Sequence, residues 1–314
     1  MTMLVTGGAG FIGSHIVDAL LRERHNVLVV DNLTTGRLEN VSPGATLLNS
    51  DIRDRAALEE IFQQLRPTFV VHHAAQTDVR RSMREPQYDT EVNIIGSVNL
   101  IELSVRFGVQ KFLFASTSAV YPEQLHLPVD EEHLVRPLSP YGVSKFAVEQ
   151  HLYLTRRESG LNYTVFRYGN VYGPRQNPSG EAGVVAIFAQ QMLSGIQPTV
   201  FGDGTKTRDY IHVDDVVKAN LLALEGRGDG EVLNLGWGSE VRDVEVFETV
   251  RKSLRVEVEP RFAQKRPGEA DRICLDSRKA RRLLGWTPEV GFEPGVLSTV
   301  ESYENRNNSH VVNV

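Results

Sequence analysis

The sequence predicts an α/β protein in which a doubly wound parallel sheet carries helices on both faces and a smaller second domain adjoins it. Three observations predict this fold. Short, nearly continuous apolar runs recur through the first half of the chain, as in parallel strands that are buried on both faces. Segments with helical spacing separate these runs. After Gly169 the alternation gives way to loops rich in glycine, proline and asparagine.

The predicted elements of the first half follow one another in β-α order. Apolar residues such as Ile12, Ile16 and Leu20 lie on one helical face after the first run. The same spacing predicts further helices over 94–107 and 141–157. The predicted strands are Met3–Val5, Val27–Val30, Thr46–Leu48, Phe69–Val71, Lys111–Phe114 and Thr164–Phe166.

The second half predicts a discontinuous, loop-rich domain. The loop Gly173–Gly180 leads into a helix over 183–194, and a second turn-rich run covers Phe201–Arg208. Acidic residues after Val213 mark the start of a helix, and Val232–Leu235 is typical of one more strand. We expect a cofactor domain of residues 1–172 and 210–238, a second domain of 173–209 and 239–314, and a frayed tail over 305–314.

Composition narrows the class of protein. The chain has 314 residues, with 34 Lys and Arg against 40 Asp and Glu, a net charge of −6. This balance argues against a surface for nucleic acid or anionic membrane. Cys274 is the only cysteine, so a disulfide scaffold is excluded. No run approaches the roughly 18 apolar residues of a membrane span, and we expect a cytoplasmic protein. No cluster of residues has the spacing of metal ligands.

A glycine-rich loop follows the first predicted strand and opens a helix. Gly8, Gly10 and Gly13 form the pattern G-x-G-x-x-G. Backbone without Cβ can turn tightly and approach a pyrophosphate, which the amino terminus of the helix stabilises. In this β-α context the loop indicates a Rossmann-type dinucleotide site, whereas three glycines alone are also typical of a structural turn.

The second strand ends at Asp31, 18 residues beyond Gly13. A carboxylate there can accept hydrogen bonds from an adenosine ribose and repels a 2′-phosphate, so NAD is expected rather than NADP. The alternative is a strand-end turn residue before Asn32. Asp51 and Ile52 follow the third strand, where they could meet the adenine ring. Ala74 and Ala75, after the fourth, could let the cofactor pass close to the backbone.

Tyr141 and Lys145 lie at positions i and i+4 of a predicted helix, and therefore on one face. A nearby ammonium stabilises phenolate, which otherwise forms only near pH 10. Alone, this pair is also common on solvated helix surfaces. Ser116, Thr117 and Ser118 end the fifth strand, at the edge where open α/β sheets bind ligands. We choose Thr117 as the hydroxyl that contacts the substrate, while Ser116 and Ser118 could simply satisfy backbone groups.

Taken together, these motifs resemble the extended short-chain dehydrogenases/reductases of the nucleotide-sugar epimerase/dehydratase group, and among them most closely the UDP-glucose 4-epimerases. The resemblance covers nearly the whole chain, although Pro122 stands where glycine is usual. It is carried by Gly7–Gly13, Asp31–Leu33, His73–Gln76, Asn93–Gly96, Ser116–Tyr121, Tyr141 with Lys145, Arg167–Gln176, Arg208–Val213 and Arg266–Glu269.

The resemblance implies a homodimeric enzyme that epimerises a UDP-hexose at C4 through a transient 4-keto sugar. Tyr141 would be the base for the 4-hydroxyl proton, and NAD would take and return the C4 hydride. Lys145 would lower the pKa of the phenol and hold the nicotinamide ribose, and Thr117 would bridge the 4-oxygen. The helices 94–107 and 141–157 would pair with those of a second copy in a four-helix bundle.

The expected site residues form two sets. Arg208 and Arg266 suit a pyrophosphate because each guanidinium can fork onto phosphate oxygens, although loop arginines also form solvated ion pairs. The residues expected to contact NAD are Gly7, Gly10, Phe11, Ile12, Gly13, Asp31, Asn32, Asp51, Ile52, Ala74, Ala75, Gln76, Asn93, Tyr141, Lys145 and Tyr168. Those expected to contact the UDP-sugar are Ser118, Asn170, Val200, Phe201, Arg208, Arg266, Glu269 and Ile273.

Other functions remain to be weighed. Related dehydratases and decarboxylases place an Asp or Glu beside the threonine, whereas Ser118 follows Thr117 here. Ile273 aligns with a residue that gates the sugar 2-position; it is smaller than tyrosine, so UDP-N-acetylglucosamine stays an alternative substrate. A one-residue slip would place Arg272 or Cys274 at this gate. UDP-glucuronate 4-epimerases are a further alternative, and so is a catalytically silent NAD-binding sensor.

Overall fold

The structure is a computed structural model that describes residues 1–122, 126–178, 183–265 and 270–311, with side chains through residue 305. Its centre is a seven-stranded parallel sheet with the order β3-β2-β1-β4-β5-β6-β11. Strand order reverses between β1 and β4, which opens a crevice at their carboxyl ends. The strands are β1 (Thr2–Thr6), β2 (Asn26–Asp31), β3 (Thr46–Asn49), β4 (Phe69–His72), β5 (Lys111–Thr117), β6 (Asn162–Tyr168) and β11 (Glu231–Leu235).

Helices cover both faces of the sheet, which confirms the predicted fold class. One face buries α1 (Phe11–Arg22), α8 (Val213–Leu224) and α10 (Arg278–Leu284). The other buries α2 (Arg55–Leu65), α5 (Gly96–Arg106) and α6 (Pro140–Ser159). The short helices α3 (Val79–Arg84) and α4 (Pro86–Thr90) run into a π-helical segment, Glu91–Ile95, ahead of α5, so this helical stretch begins earlier than the sequence predicts.

The second domain has a separate apolar core between α7 (Val184–Leu193), α9 (Asp243–Leu254) and α11 (Phe292–Val311). The helix α11 continues to Val311, where the sequence predicts a frayed tail from Asn305. Strands pair around this core as β7 (Asn170–Tyr172) with β10 (Tyr210–His212), β8 (Thr199–Phe201) with β13 (Arg261–Ala263), and β9 (Thr207–Arg208) with β12 (Val241–Arg242).

Part of the segment assigned to the second domain packs elsewhere. Ala280 and Leu284 of α10, with Trp286, lie in the core between the sheet and α8. The indole N–H of Trp286 donates to the Asp215 carbonyl at 2.8 Å. The chain therefore returns to the sheet before it enters α11, because these apolar side chains are buried only there. None of the described helices is both long and apolar enough to cross a membrane.

Candidate active site

The glycine-rich loop connects β1 to α1 at the crevice. A Cβ on Gly13 would lie 2.2 Å from the carbonyl oxygen of Gly7, so the turn tolerates no side chain there. Gly10 is the N-cap of α1 and supplies no capping side chain, and Phe11 and Ile12 begin the helix. The amino terminus of α1 thus offers its positive end to an anion, and the loop fits a pyrophosphate.

Asp31 ends β2 beside this loop. Its carboxylate accepts from the backbone N–H groups of Ala9 at 3.0 Å and Leu33 at 2.9 Å. Burial raises the pKa of Asp31, and these two hydrogen bonds oppose the rise. The two contacts fix the carboxylate at the strand end, where the sequence predicts an acceptor for the ribose hydroxyls.

The predicted adenine-side residues lie at the ends of neighbouring strands. The amide of Asn32 donates to the Asp51 carboxylate at 2.9 Å. Arg53 forms an ion pair with Asp51 at 2.8 Å and holds the pKa of that carboxyl at about 2. Ile52 is buried and faces Gly96 of α5. The structure thus brings Asn32 and Asp51 together and directs Ile52 into the core.

The loop after β4 lines the other side of the crevice. The backbone N–H of Ala74 donates to the Thr6 hydroxyl at 3.2 Å, and this segment passes against Gly7. Ala75 follows and is partly exposed. Asn93 accepts from the N–H of Gln76 at 2.8 Å and therefore holds this loop.

Two adjacent histidines, His72 and His73, contact different groups at the end of β4. His72 contacts the hydroxyls of Thr6 at 2.6 Å and Ser97 at 2.8 Å, whereas His73 approaches the Tyr168 hydroxyl at 3.2 Å. The two side chains therefore point to opposite faces of the sheet. Tyr168 is buried, and its hydroxyl also accepts from Asn220 at 2.9 Å. Tyr168 is predicted to contact NAD, and its hydroxyl already has two protein partners, His73 and Asn220. Among the residues that the structure describes, no group of three side chains could hold a metal ion.

Helix α6 carries the predicted proton-transfer pair. The Ser139 hydroxyl accepts from the N–H of Gly142 at 3.2 Å and caps the helix, with Pro140 at its first position. A Cβ on Gly142 would lie 2.4 Å from the carbonyl oxygen of Ala119. Glycine therefore lets the start of α6 pack against the turn after β5, so that Tyr141 reaches the end of that strand.

Tyr141, Thr117 and Lys145 converge at this point. The Thr117 hydroxyl lies near the Tyr141 hydroxyl and lowers the pKa of that phenol, and it accepts from the N–H of Ala119 at 3.1 Å. Lys145 is 3% exposed, and its Nζ donates to the Ala115 carbonyl at 2.9 Å. The same Nζ lies 6.0 Å from the centroid of the Tyr141 ring. The hydroxyl of Thr117, the phenol of Tyr141 and the ammonium of Lys145 therefore lie together at the carboxyl end of β5.

The ionisation of this pair differs from the expectation. Burial raises the pKa of Tyr141 to about 12, and the nearby Thr117 hydroxyl opposes the rise. Burial lowers the pKa of Lys145 to about 8, and the charge of Asp89 opposes that fall. In the chain alone the pKa of the phenol therefore lies above its usual range, because burial disfavours the charged phenolate.

The two serines beside Thr117 have different environments. Ser118 is buried at the start of a short 3₁₀ turn. Ser116 donates to the Glu149 carboxylate at 2.5 Å rather than to strand-end backbone. Glu149 in turn pairs with Arg167 at 2.6 Å, and both side chains are buried. Neither Glu149 nor Arg167 was predicted as a support of the site.

The predicted substrate residues lie on the second-domain side. Asn170 donates its N–H to the Asp209 carbonyl at 2.7 Å, which places it beside Arg208. Arg208 donates to the Thr207 carbonyl at 2.7 Å. Val200 packs into the second core with 1% exposure, so only its backbone could meet a ligand, whereas Phe201 is partly exposed.

Asp209 lies within the motif Arg208–Val213 but is not among the predicted site residues. It is fully buried and accepts from the N–H groups of Trp237 at 2.7 Å, Gly238 at 3.1 Å and Leu275 at 2.9 Å. This carboxylate joins three loops around Arg208. The sequence feature that points to Asp209 is its position directly after Arg208, a candidate ligand of the pyrophosphate.

The predicted gate lies on one of these loops. Arg272 donates to Glu240 at 2.8 Å, and Cys274 is buried, with the pKa of its thiol raised to about 12 by burial. Ile273 between them is half-buried. A cavity of about 460 Å³ is lined by both alternative gate residues, Arg272 and Cys274, together with Pro128, Gly238, Glu240 and others, whereas Ile273 is not among its lining residues. Two further predicted substrate residues, Arg266 and Glu269, lie outside the described residues.

Comparison with known proteins gives a consistent result. Residues 3–236 match the model of the NAD dependent epimerase/dehydratase family. A UDP-glucose 4-epimerase of Mycolicibacterium smegmatis is 40% identical over 98% of this chain and 99% of that protein. The structure of a UDP-glucose 4-epimerase of Thermotoga maritima with UDP-glucose is 47% identical, with a TM-score of 0.96, and covers 98% of this chain and 100% of that one. A Thermus thermophilus UDP-glucose 4-epimerase in complex with NAD is 43% identical, with a TM-score of 0.92 over 97% and 99%.

Proposed function

Because the chain belongs to the NAD dependent epimerase/dehydratase family, we propose that it interconverts UDP-galactose and UDP-glucose by NAD-dependent epimerisation at C4. The observation that carries this function is the convergence of Tyr141, Thr117 and Lys145 at the end of β5, next to the glycine-rich loop. The dehydratase reaction of the same family is disfavoured, since Ser118 and Ala119 follow Thr117 where an acidic residue would be needed.

The residues divide the reaction between them. NAD, when bound, supplies the acceptor and donor of the C4 hydride and the positive charge of its nicotinamide ring. Tyr141 takes the proton of the 4-hydroxyl and later returns it, and Thr117 holds the 4-oxygen through its hydroxyl. Lys145 holds the nicotinamide ribose and keeps a positive charge near the phenolate. The pKa of about 12 in the chain alone has to fall before Tyr141 can act as a base, and the nearby positive charges act in that direction.

Substrate binding falls to the second domain. The backbone N–H of Asn170 contacts the carbonyl of Asp209, the residue that follows Arg208. A guanidinium there suits the diphosphate of the nucleotide sugar. Arg266 and Glu269 complete the set by resemblance. In this proposal Asp209 acts indirectly, since it holds the loops that carry Arg208 and Ile273.

The purified protein is expected to carry NAD and to interconvert UDP-galactose and UDP-glucose without added reductant, because each turnover regenerates the cofactor. A coupled assay for UDP-glucose, together with release of NAD on denaturation, measures both properties. After removal of the bound cofactor, NAD should restore activity and NADP should not, since Asp31 repels a 2′-phosphate. Full activity with NADP alone would contradict the role of Asp31. Tightly bound NAD without turnover would indicate the silent sensor instead.

We also expect a homodimer. Within the protomer, Leu152 of α6 is buried and Phe146 is partly buried. Other apolar side chains remain open: Ile95 is 51% exposed, Val143 52% and Leu154 51%. Pairing of α5 and α6 with their copies in a four-helix bundle would cover these side chains. Multi-angle light scattering at micromolar concentration should give twice the mass of the chain, and a stable monomer would contradict this expectation.

The sugar pocket should admit N-acetylated substrates. Ile273 is half-buried on the loop between Arg272 and Cys274, and its side chain is shorter than that of a tyrosine. Ile273→Tyr should therefore abolish turnover of UDP-N-acetylgalactosamine and preserve that of UDP-galactose, which parallel assays can measure; Ile273→Leu is the volume-matched control. Absence of N-acetyl activity in the unmodified protein would contradict the gate, and a preference for UDP-galacturonate would favour the uronate epimerases.

A further inference from the structure

Asp89 is a buried carboxylate close to the proton-transfer pair that the proposed mechanism does not use. It lies in α4, and its side chain is fully buried. One oxygen, Oδ1, accepts from Gln76 Nε2 at 2.9 Å and from Asn93 Nδ2 at 3.0 Å. The other, Oδ2, has no hydrogen-bond partner in the part of the chain that the structure describes. A half-satisfied buried carboxylate is costly, so its retention needs an explanation.

Hydrogen bonds connect Asp89 to both walls of the site. The Asn93 side chain accepts from the N–H of Gln76 at 2.8 Å and donates to its carbonyl at 2.9 Å, so it clamps the loop after β4. The same Asn93 amide donates to the Ser144 hydroxyl at 3.2 Å. Ser144 directly precedes Lys145 on α6. The carboxylate therefore sits behind the contact between the predicted NAD loop and the helix that carries the base.

The negative charge of Asp89 acts on the ionisation of Lys145 and Tyr141. The negative charge of Asp89 raises the pKa of Lys145 against burial, and it also raises the pKa of Tyr141. The charge of Lys145 also acts on His72 and His73, and burial together with that charge keeps the pKa of each well below its usual range. Both histidines are therefore neutral at neutral pH and add no charge beside Lys145.

Three other charged groups on the elements packed against Asp89, or next to it, form ion pairs of their own. Arg81 of α3 pairs with Glu85 at 3.0 Å and stacks on the Tyr88 ring. Glu91, in the π-helical segment, is exposed and lies 3.6 Å from Arg53. On the far side of α6, Glu149 pairs with Arg167, as described above. Asp89 is thus the buried acid whose charge acts on the pair.

We propose that Asp89 is a positioning residue of the active site, which holds Gln76 and Asn93 through one carboxylate oxygen and balances the buried ammonium of Lys145 with its charge. The role rests on the proposed function, because it serves the proton transfer of Tyr141. Substitutions can separate the hydrogen bonds of Asp89 from its charge, because both hydrogen bonds go to Oδ1. Asp89→Asn keeps that acceptor, places its amide where Oδ2 was, and removes the charge. Asp89→Ala removes both.

The test is the pH dependence of kcat for UDP-galactose in the NAD-loaded enzyme. In Asp89→Asn, both limbs of the profile should move to lower pH by about half a unit or more, because the change removes a negative charge that disfavours the phenolate and stabilises the ammonium. KM at the optimum should change by less than about threefold, since no substrate contact is removed. Glu91→Gln, which removes an exposed charge from the same segment, should leave the profile in place. An active Asp89→Asn enzyme with an unshifted profile would overturn the proposal.

A second measurement does not depend on turnover. With lysines labelled with ¹³C at Cε, the NMR resonance of Lys145, assigned by its loss in Lys145→Met, should titrate with a midpoint near 8 and at lower pH in Asp89→Asn. An unmoved midpoint would overturn the role of Asp89 even if the protein epimerises no sugar. If Asp89→Asn does not fold, the unmodified protein decides, because a midpoint below about 7 would show that the ammonium is not balanced.

Discussion

Replacement of Tyr141 by phenylalanine should lower kcat by about 10²–10⁴, with KM for UDP-galactose changed only a few-fold. The phenol hydroxyl lies near the Thr117 hydroxyl at the end of β5, and the Lys145 ammonium lies 6.0 Å from the centroid of its ring. Phenylalanine keeps the ring and its packing, so the loss falls on proton transfer rather than on binding. Steady-state kinetics with the NAD-loaded enzyme measure both constants.

A matched control lies on the same helix. Tyr153 of α6 is 47% exposed, and Tyr153→Phe should leave both constants unchanged. Retention of NAD by the Tyr141→Phe enzyme would show that the site is intact. Turnover close to that of the unmodified protein would remove Tyr141 from the mechanism and leave Lys145 or a water molecule as the base.

The free energy of unfolding should fall by about 3–5 kcal/mol in Glu149→Ala, because the change leaves a buried guanidinium without its counter-ion. Arg167 Nε and Nη2 donate to the two oxygens of Glu149 at 3.0 and 2.6 Å, and Ser116 donates at 2.5 Å. Arg167 also donates to the Tyr121 hydroxyl at 2.9 Å. These contacts join α6 to β5 and β6, directly beneath the strand end that carries Thr117.

Urea unfolding followed by circular dichroism measures this loss. The control is Glu85→Ala, which breaks the exposed pair with Arg81 and should cost less than about 1 kcal/mol. Equal effects of the two changes would show that the Glu149 pair contributes no more than a surface ion pair. A loss of activity in Glu149→Ala without loss of stability would instead indicate a direct role in the reaction.

Local patterns were enough to predict the frame and the chemistry of this protein. Parallel strands buried on both faces need continuous apolar runs, so all six predicted strands of the first half appear in the sheet. The glycine loop was readable because its turn excludes side chains, and the i, i+4 spacing of Tyr141 and Lys145 placed both on one face of α6. Resemblance then joined these pieces into one reaction.

The sequence did not predict the contacts between distant segments, because it does not show which polar side chains are desolvated when the chain folds. Glu149 and Arg167 form a pair only because α6 packs on β6, and Asp89 meets Gln76 only where α4 closes over the loop after β4. Burial also set the pKa of Tyr141 near 12, against the expected lowering by Lys145. Desolvation is a property of the packed chain, and the spacing of Tyr141 and Lys145 does not show it.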